Sequence, residues 1–344
     1  MTKVFVIDDS LTVRNGFKNL IEQMDDIVLL GEAENPIDAI KKFSEVGLPD
    51  LFILDIEMPK MDGLTFLKKI NSQRPTPVII CSTLVGAGSN KLIESLRLGA
   101  IDIIEKPKSN VNKLFITYKE ELIAKIRVAV NANNNYRDEV FVENNVIKKN
   151  NNNSQIQAAK IIAIGSSTGG VQVLEEIFTH LDLNHQAIVV VQHIPRSFSF
   201  SLAKRLNELC ENSLVKEAED GDIVMMGTIY IAPGGVHLEV EKRDRKYFIR
   251  LKYFPKVNSH RPSINVFFNS ISKSARTNAI GFLLTGMGND GAKGLKNMLD
   301  SGANTYVQNK QTSVVYGMAK IAWDMGSAKE ELSIYEIIKA INKY

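Results

Sequence analysis

The sequence predicts an α/β protein of two domains, each built on a largely parallel sheet. Three observations carry that expectation. Apolar runs of strand length alternate with helical patterns from Val4 to Ile104 and again from Ile161 to Val307, and an asparagine-rich stretch separates the two series. The length of 344 residues also exceeds what one ordinary core serves, while 44% hydrophobic residues suffice to fill two.

In the first series the strand-length runs are Val4–Ile7, Leu51–Leu54, Val78–Cys81 and Ile101–Ile104, with helical patterns such as Asp38–Val46 and Leu92–Leu98 between them. Short crossovers of this kind build a parallel sheet covered on both faces, with ligands beyond the carboxyl ends of the strands. A helical pattern of Leu, Ile and Val from Leu114 to Val130 closes this domain at residue 130. Residues 131–157 read as a linker, with Asn133-Asn134-Asn135, Asn150–Asn153 and no sustained periodicity beyond Val140–Ile147. The second domain, 158–344, has strand runs at Ile161–Ile164, Ala187–Val191, Ala279–Thr285 and Thr305–Val307. Between them Thr228–Ala232, Pro233-Gly234-Gly235, His237–Glu241 and Tyr247–Leu251 read as antiparallel hairpins, so this second, doubly wound sheet is expected to be mixed.

Composition excludes several classes. Lys+Arg 42 against Asp+Glu 39 leaves a formal charge of +3, without the basic stripe that duplex nucleic acid requires. No apolar run approaches the roughly 18 residues of a membrane span, so neither membrane insertion nor export is expected, and the chain reads as cytoplasmic. Cys81 and Cys210 lie far apart in apolar or helical surroundings and read as buried thiols in a reducing compartment.

The first domain gathers carboxylates at one sheet edge. Asp8 and Asp9 follow the first strand and Asp55 the third. Crowded carboxylates call for a hard divalent cation with oxygen ligands, leaving Asp55 able to attack a phosphoryl group. Ser82 and Lys106, at the next two strand ends, are placed to donate to phosphoryl oxygens, and Pro107 would fix the lysine's turn. A lone aspartate at a strand end is ordinarily a turn or a helix cap; five such positions together are not.

These residues resemble the response-regulator receiver family, through Val6-Ile7-Asp8-Asp9, Asp55-Ile56-Glu57-Met58-Pro59-Lys60-Met61-Asp62-Gly63, Ser82 and Lys106-Pro107. The resemblance implies a flavodoxin-like (βα)5 fold and phosphorylation of Asp55 by a partner histidine kinase. It also implies Mg2+ bound by Asp9, Asp55 and the Glu57 backbone, with Asp8 acting through water. Ile103 stands where receivers often carry an aromatic switch residue, which puts that switch in doubt.

In the second domain Ile161-Ile162-Ala163-Ile164 runs into Gly165-Ser166-Ser167-Thr168-Gly169-Gly170. Two chemistries fit a glycine turn between strand and helix: an anion held by backbone N–H groups, or acyl transfer from a serine projected by a sharp turn. A serine nucleophile needs a base, and His193 ends the next strand in Gln192-His193-Ile194-Pro195. His180, His185 and His237 lie at a helix end, in a loop and at a hairpin start; His260, beside Arg261-Pro262, fits either the cleft or a solvated loop. Asp290, in Thr285-Gly286-Met287-Gly288-Asn289-Asp290-Gly291, follows a third strand and is placed to orient the histidine. The flanking glycines allow close approach, with the Met287 N–H available to an oxyanion.

The order Ser, His, Asp is not that of the α/β-hydrolases, so the glycine turn does not import their fold. The chain instead resembles the chemotaxis protein-glutamate methylesterase family, CheB. The likeness is carried by Gly165–Gly170, Gln192–Pro195, Lys216-Glu217-Ala218-Glu219-Asp220-Gly221, Tyr230-Ile231-Ala232-Pro233-Gly234, His260-Arg261-Pro262-Ser263 and Thr285–Gly291. It implies hydrolysis of γ-glutamyl methyl esters on methyl-accepting chemotaxis receptors, with deamidation of receptor glutamines, after phosphorylation by the chemotaxis histidine kinase. Ser167 is then nucleophile, His193 base and acid, and Asp290 orienter, with Thr168 and Met287 near the oxyanion and no metal in the esterase site. In that family the unphosphorylated receiver packs over the catalytic cleft. Two rivals predict features of their own: a DNA-binding regulator would need a basic helix-turn-helix after Ser154, and a nucleotide-binding module would lack the paired His193 and Asp290.

Overall fold

The computed structural model describes residues 1–83, 89–106, 112–117, 119–132, 156–196 and 198–344. Pro107 and the linker from Asn133 to Gln155, with its Val140–Ile147 stretch, lie outside the described residues. The chain divides into two compact units, Met1–Asn134 and Asn135–Tyr344.

The first unit contains β1 (Thr2–Ile7), α1 (Leu11–Ile21), β2 (Ile27–Ala33), α2 (Pro36–Val46), β3 (Leu51–Leu54) and α3 (Gly63–Gln73). After them come β4 (Val78–Ser82), α4 (Ser89–Arg97), β5 (Asp102–Glu105), α5 (Asn112–Thr117) and α6 (Lys119–Val130). The sheet order is β2-β1-β3-β4-β5 with every pairing parallel, the flavodoxin-like arrangement. Strands β1, β3 and β4 read as unbroken apolar runs because helices cover both faces; Val4–Ile7 and Leu51–Leu54 are buried throughout. The edge strand β2 is only half-buried and carries a weaker apolar signal. Asn35 caps α2 by accepting from the Asp38 N–H at 3.1 Å, with Pro36 in the first turn, where its missing N–H costs nothing. Of the helix expected over 114–130, the described residues are helical, in α5 and α6; residue 118 lies outside the described residues.

The second unit contains β6 (Ile161–Ser166), α7 (Gly170–Thr179), β7 (Ala187–Gln192), α8 (Ser199–Leu209), β8 (Leu214–Glu217) and β9 (Thr228–Ile231). Next are β10 (His237–Arg243), β11 (Lys246–Lys252), α9 (Ile264–Ser274), β12 (Ala279–Leu283) and α10 (Ala292–Asp300). The unit ends with β13 (Asn304–Gln308), α11 (Met318–Asp324), β14 (Glu330–Leu332) and α12 (Ile334–Lys343). Its seven-stranded sheet has the order β14-β13-β12-β6-β7-β9-β8 and is parallel at every pairing. The expected antiparallel hairpin region is present, but it stands apart from the main sheet, which is parallel rather than mixed. β9 is buried on both faces and belongs to the parallel sheet, whereas β10 and β11, half-exposed and alternating, form a separate two-stranded ribbon. The strand expected to reach Thr285 ends at Leu283, because the Thr285 N–H leaves the ladder for Gln308 Oε1 at 2.8 Å.

From β6 the chain winds outward through β7 to β8 and β9, then returns past the ribbon to β12 on the other flank of β6. The switch point falls between β6 and β12, where open parallel sheets place their binding crevice. Ser167, His193 and Asp290 all follow strands at this end of the sheet.

Candidate active site

β6 is followed by a tight turn. The Ser167 N–H donates to Thr285 O at 3.0 Å, and the Gly170 N–H returns to Ser167 O at 2.8 Å as α7 begins. Gly169 has φ +76, and a Cβ there would lie 2.4 Å from Val314 Cβ, so both backbone and space require glycine. On the far side a Cβ at Gly286 would lie 2.6 Å from Ser167 Cβ, which makes that glycine a condition of the close approach of the Met287 loop. Met287 follows directly and is half-buried; the Thr168 carbonyl accepts from Thr285 Oγ1 at 3.0 Å.

His193 emerges from β7 with its N–H on Ser166 O at 3.0 Å. Gln192 fixes the spacing of the two turns: its amide donates to Ser167 O at 2.9 Å and His193 O at 3.0 Å, while its Oε1 accepts from Ser166 Oγ at 2.6 Å. The imidazole then spans the site, Nδ1 lying 3.1 Å from Ser167 Oγ and Nε2 2.9 Å from Asp290 Oδ2. A carboxylate only accepts, so Nε2 carries the proton and Nδ1 presents its lone pair to the serine hydroxyl. This is the geometry of a general base poised on a nucleophile, with a carboxylate fixing the tautomer.

Asp290 is 1% exposed. It accepts five hydrogen bonds: from His193, from Ser263 Oγ at 2.9 Å, from the Ile264 and Asn265 N–H groups at 2.7 and 3.2 Å, and from Asn258 Nδ2 at 3.3 Å. The two backbone donors are the first turn of α9, whose positive end faces the carboxylate. Burial opposes the charge, but His193, Ser263 and Ile264 outweigh it, and the Asp290 pKa lies below the usual carboxylate value. The charged form is thus fixed at neutral pH.

Ser263, Asn258, Asn265 and Gln192 have no assigned role in the sequence reading. Ser263 carries a signal, since a serine before the apolar run of α9 is an N-cap. That its hydroxyl also serves Asp290 depends on the fold. His237 supports it from behind: buried and stacked on Phe254, it accepts the Ser263 N–H on Nδ1 at 3.2 Å and donates Nε2–H to Pro255 O at 3.1 Å. Burial holds its pKa below the ordinary histidine value. His185 is a satisfied core residue between Ser213 Oγ and Gln186 O, both at 2.7 Å, and His180 sits at the end of α7 against Glu176 O at 2.8 Å. His260 lies in the cleft, its ring stacked on His193 with centroids 3.7 Å apart. The exposed Arg261 turns one guanidinium nitrogen to Phe254 O at 3.1 Å.

The first unit holds the other predicted cluster. Ligand atoms of Asp8, Asp9 and Asp55 lie within 4.8 Å of one another. Lys106 Nζ is 2.6 Å from both Asp8 Oδ2 and Asp55 Oδ2, and the Ile56 N–H donates to Asp55 Oδ1 at 2.6 Å. Ser82 Oγ is buried at the same edge without a hydrogen-bond partner among the described residues, an orphan that an added acceptor would satisfy. Burial pushes the Asp8 pKa up to about 6, against the pull of Lys106 and with the help of Asp55. An all-oxygen set this crowded fits a hard divalent cation. Gly63 lets this loop close, since a Cβ there would meet Asp55 O at 2.1 Å.

The family model described as CheB methylesterase matches residues 162–341, and the response regulator receiver domain model matches residues 4–117. The chain belongs to the CheB methylesterase family. It is 44% identical to protein-glutamate methylesterase/protein-glutamine glutaminase 3 of Leptospira interrogans over 350 aligned residues, covering 100% of both chains. It is 39% identical to the protein-glutamate methylesterase/protein-glutamine glutaminase of Salmonella typhi, covering 97% of this chain and 94% of that one. The crystal structure of the Thermotoga maritima CheB methylesterase catalytic domain, 39% identical, matches 54% of this chain and 97% of its own with a TM-score of 0.52.

Two outcomes follow from the geometry. Asp290→Asn turns an amide N–H or a neutral oxygen to Nε2, so the proton can shift to Nδ1 and the lone pair facing Ser167 is lost. Ester turnover is expected to fall by about 10³–10⁴-fold with the fold intact, as measured by kcat and circular dichroism. In the first unit the folded pKa of Asp8, about 6, lies above its ordinary 3.8, so folding favours its proton; that stabilisation is full below pH 4 and lost as pH rises through 6. In EDTA, hydrogen exchange of the β1 and β3 amides should report a loss of roughly 1 kcal/mol between pH 5 and 7.5, and Asp8→Asn should flatten it.

Proposed function

We propose that Ser167, His193 and Asp290 hydrolyse γ-glutamyl methyl esters on methyl-accepting chemotaxis receptors, and deamidate receptor glutamines by the same route. The observation that carries this reading is the continuous contact from Asp290 Oδ2 through both imidazole nitrogens to Ser167 Oγ, at 2.9 and 3.1 Å. Ser167 Oγ attacks the γ-carbonyl carbon as Nδ1 of His193 takes its proton. The tetrahedral oxyanion forms at the start of α7, where the Thr168 and Met287 N–H groups are the donors nearest in sequence to the nucleophile turn and its facing loop. Nδ1 then protonates the departing oxygen, and methanol leaves. Water, deprotonated by the same nitrogen, attacks the acyl-enzyme; as the C–Oγ bond breaks, Nδ1 returns that proton to Ser167 Oγ and the glutamate carboxyl group is released, and with a glutamine substrate the first leaving group is ammonia. Throughout, Asp290 holds Nε2–H and balances the transient imidazolium.

The first unit is the control element in this reading. Mg2+, held by Asp9, Asp55 and the Glu57 carbonyl and by Asp8 through water, would neutralise the carboxylates and the incoming phosphoryl group. Asp55 accepts the phosphoryl group from the chemotaxis histidine kinase, and the Ser82 hydroxyl and Lys106 ammonium receive its oxygens. No helix among the described residues is long and apolar enough to cross a membrane, which fits action in the cytoplasm on the receptors' cytoplasmic segments.

Methanol release from methylated receptor membranes tests the catalytic assignment. Ser167→Ala should lower it by about 10⁴-fold or more; equal release by both proteins would overturn the reading. A small phosphoryl donor with Mg2+ should raise turnover of the wild type and leave Asp55→Asn unchanged, as followed by the same assay. A wild type indifferent to the donor would remove the regulatory role.

A further inference from the structure

The loop between β11 and α9 does more than carry a helix cap. Val257 and His260 exchange both backbone hydrogen bonds, at 3.1 and 2.9 Å, around Asn258 and Ser259, whose φ values of 49 and 67 make a tight hairpin turn. The turn is tied to the catalytic carboxylate on both sides, by Asn258 Nδ2 before His260 and by Ser263 Oγ after it. Gly235 N–H holds Arg261 O at 2.9 Å and Arg261 holds Phe254 O, which pins the chain beyond the turn. What this rigid turn delivers is the His260 ring, lying flat on His193 with the planes 7° apart and centroids 3.7 Å apart. The His193 side chain is 7% exposed, although it follows a strand at the rim of the crevice.

We infer that His260 is a positioning residue, whose stacked ring covers one face of His193 and keeps Nδ1 aimed at Ser167 and Nε2 at Asp290. This deepens the reading of Ser167 and His193 as nucleophile and base and rests on it. The two hydrogen bonds of His193 and its Cβ attachment set the ring plane, but bent hydrogen bonds still allow a small rotation about Cβ–Cγ. A parallel ring blocks that rotation and keeps water from the face. It also presents a π face to the imidazolium formed when the serine proton arrives. The serine-directed lone pair therefore stays aligned through the transfer, which is where misplacement is most costly.

The test uses full-length protein and diisopropyl fluorophosphate, too small to engage any receptor-recognition surface: the Ser167 Oγ–P bond forms, fluoride leaves, and His193 takes the proton. His260→Ala should slow labelling by about 10–100-fold and lower kcat on methylated receptors with KM unchanged. His260→Phe, which keeps a flat ring without titratable nitrogens, should restore both to within about threefold. The Nε2–H proton resonance of His193 should broaden in the alanine variant and sharpen again in the phenylalanine one. If His260→Ala fails to fold, His260→Gln, polar and of similar bulk but without a ring, is read in the same way. Labelling of the alanine variant at the wild-type rate, a rise in KM alone, or a phenylalanine variant as slow as alanine would each overturn the inference. Ser167→Ala separates the two levels, since labelling that survives it defeats the underlying triad rather than the role of His260.

Discussion

The second domain is organised around one buried anion. Asp290 is almost wholly withdrawn from water, and a lone carboxylate there would take up a proton instead of staying charged. It stays ionised because the start of α9, Ser263, Asn258 and His193 all donate to it. Each donor is thereby placed. The cap of α9, the hairpin turn before it, the tautomer of the histidine and the lone pair facing Ser167 are consequences of satisfying the same two oxygens.

The first domain uses carboxylates at strand ends to opposite effect. There Asp8 and Asp55 share a single ammonium with Asp9 beside them, and burial raises the pKa of Asp8 in spite of Lys106. An over-satisfied carboxylate is a fixed part; an under-satisfied group of them is a receptor for positive charge and for what that charge brings. Both edges follow from parallel strands ending together. In the proposed reading, the count of donors against charges separates a carboxylate that orients a histidine from one that accepts a phosphoryl group.

Much of this was legible in the sequence. Strands β1, β3, β4, β6, β7 and β12 are buried on both faces and therefore read as apolar runs, and the polar residue after each run marks a functional edge. Ser167, His193, Asp290, Asp8, Asp55, Ser82 and Lys106 were visible for that reason. The pairing of Thr228–Ile231 was not, because a short apolar strand near two alternating ones gives no sign of which sheet takes it. Nor were the partners of Asp290: Asn258 and Ser263 are 32 and 27 residues away in sequence, and nothing local to an Asn or Ser says which carboxylate it will meet. The stacking of His260 was equally hidden, since its spacing from His193 has no period.

The orientation of the imidazole follows from the strand order. The sheet places β12, β6 and β7 side by side, so Ser167 stands one strand from His193, while Asp290 comes from the strand beyond. Neighbouring strands are about 4.8 Å apart, so the serine is the near partner and the aspartate belongs to a strand roughly twice as distant. Within an imidazole, Nδ1 lies closer to its own backbone and Nε2 reaches further. The near nitrogen therefore meets the near partner and the far nitrogen the far one, at 3.1 and 2.9 Å. Trypsin-like triads use the two nitrogens the other way round. Here that arrangement would require the ring to turn about Cβ–Cγ and carry Nε2 past Ser167, leaving the carboxylate with the shorter reach. The chemistry is unaffected, because either nitrogen is a competent base once the other is held protonated. Strand order thus favours Nδ1 as the nitrogen that meets Ser167.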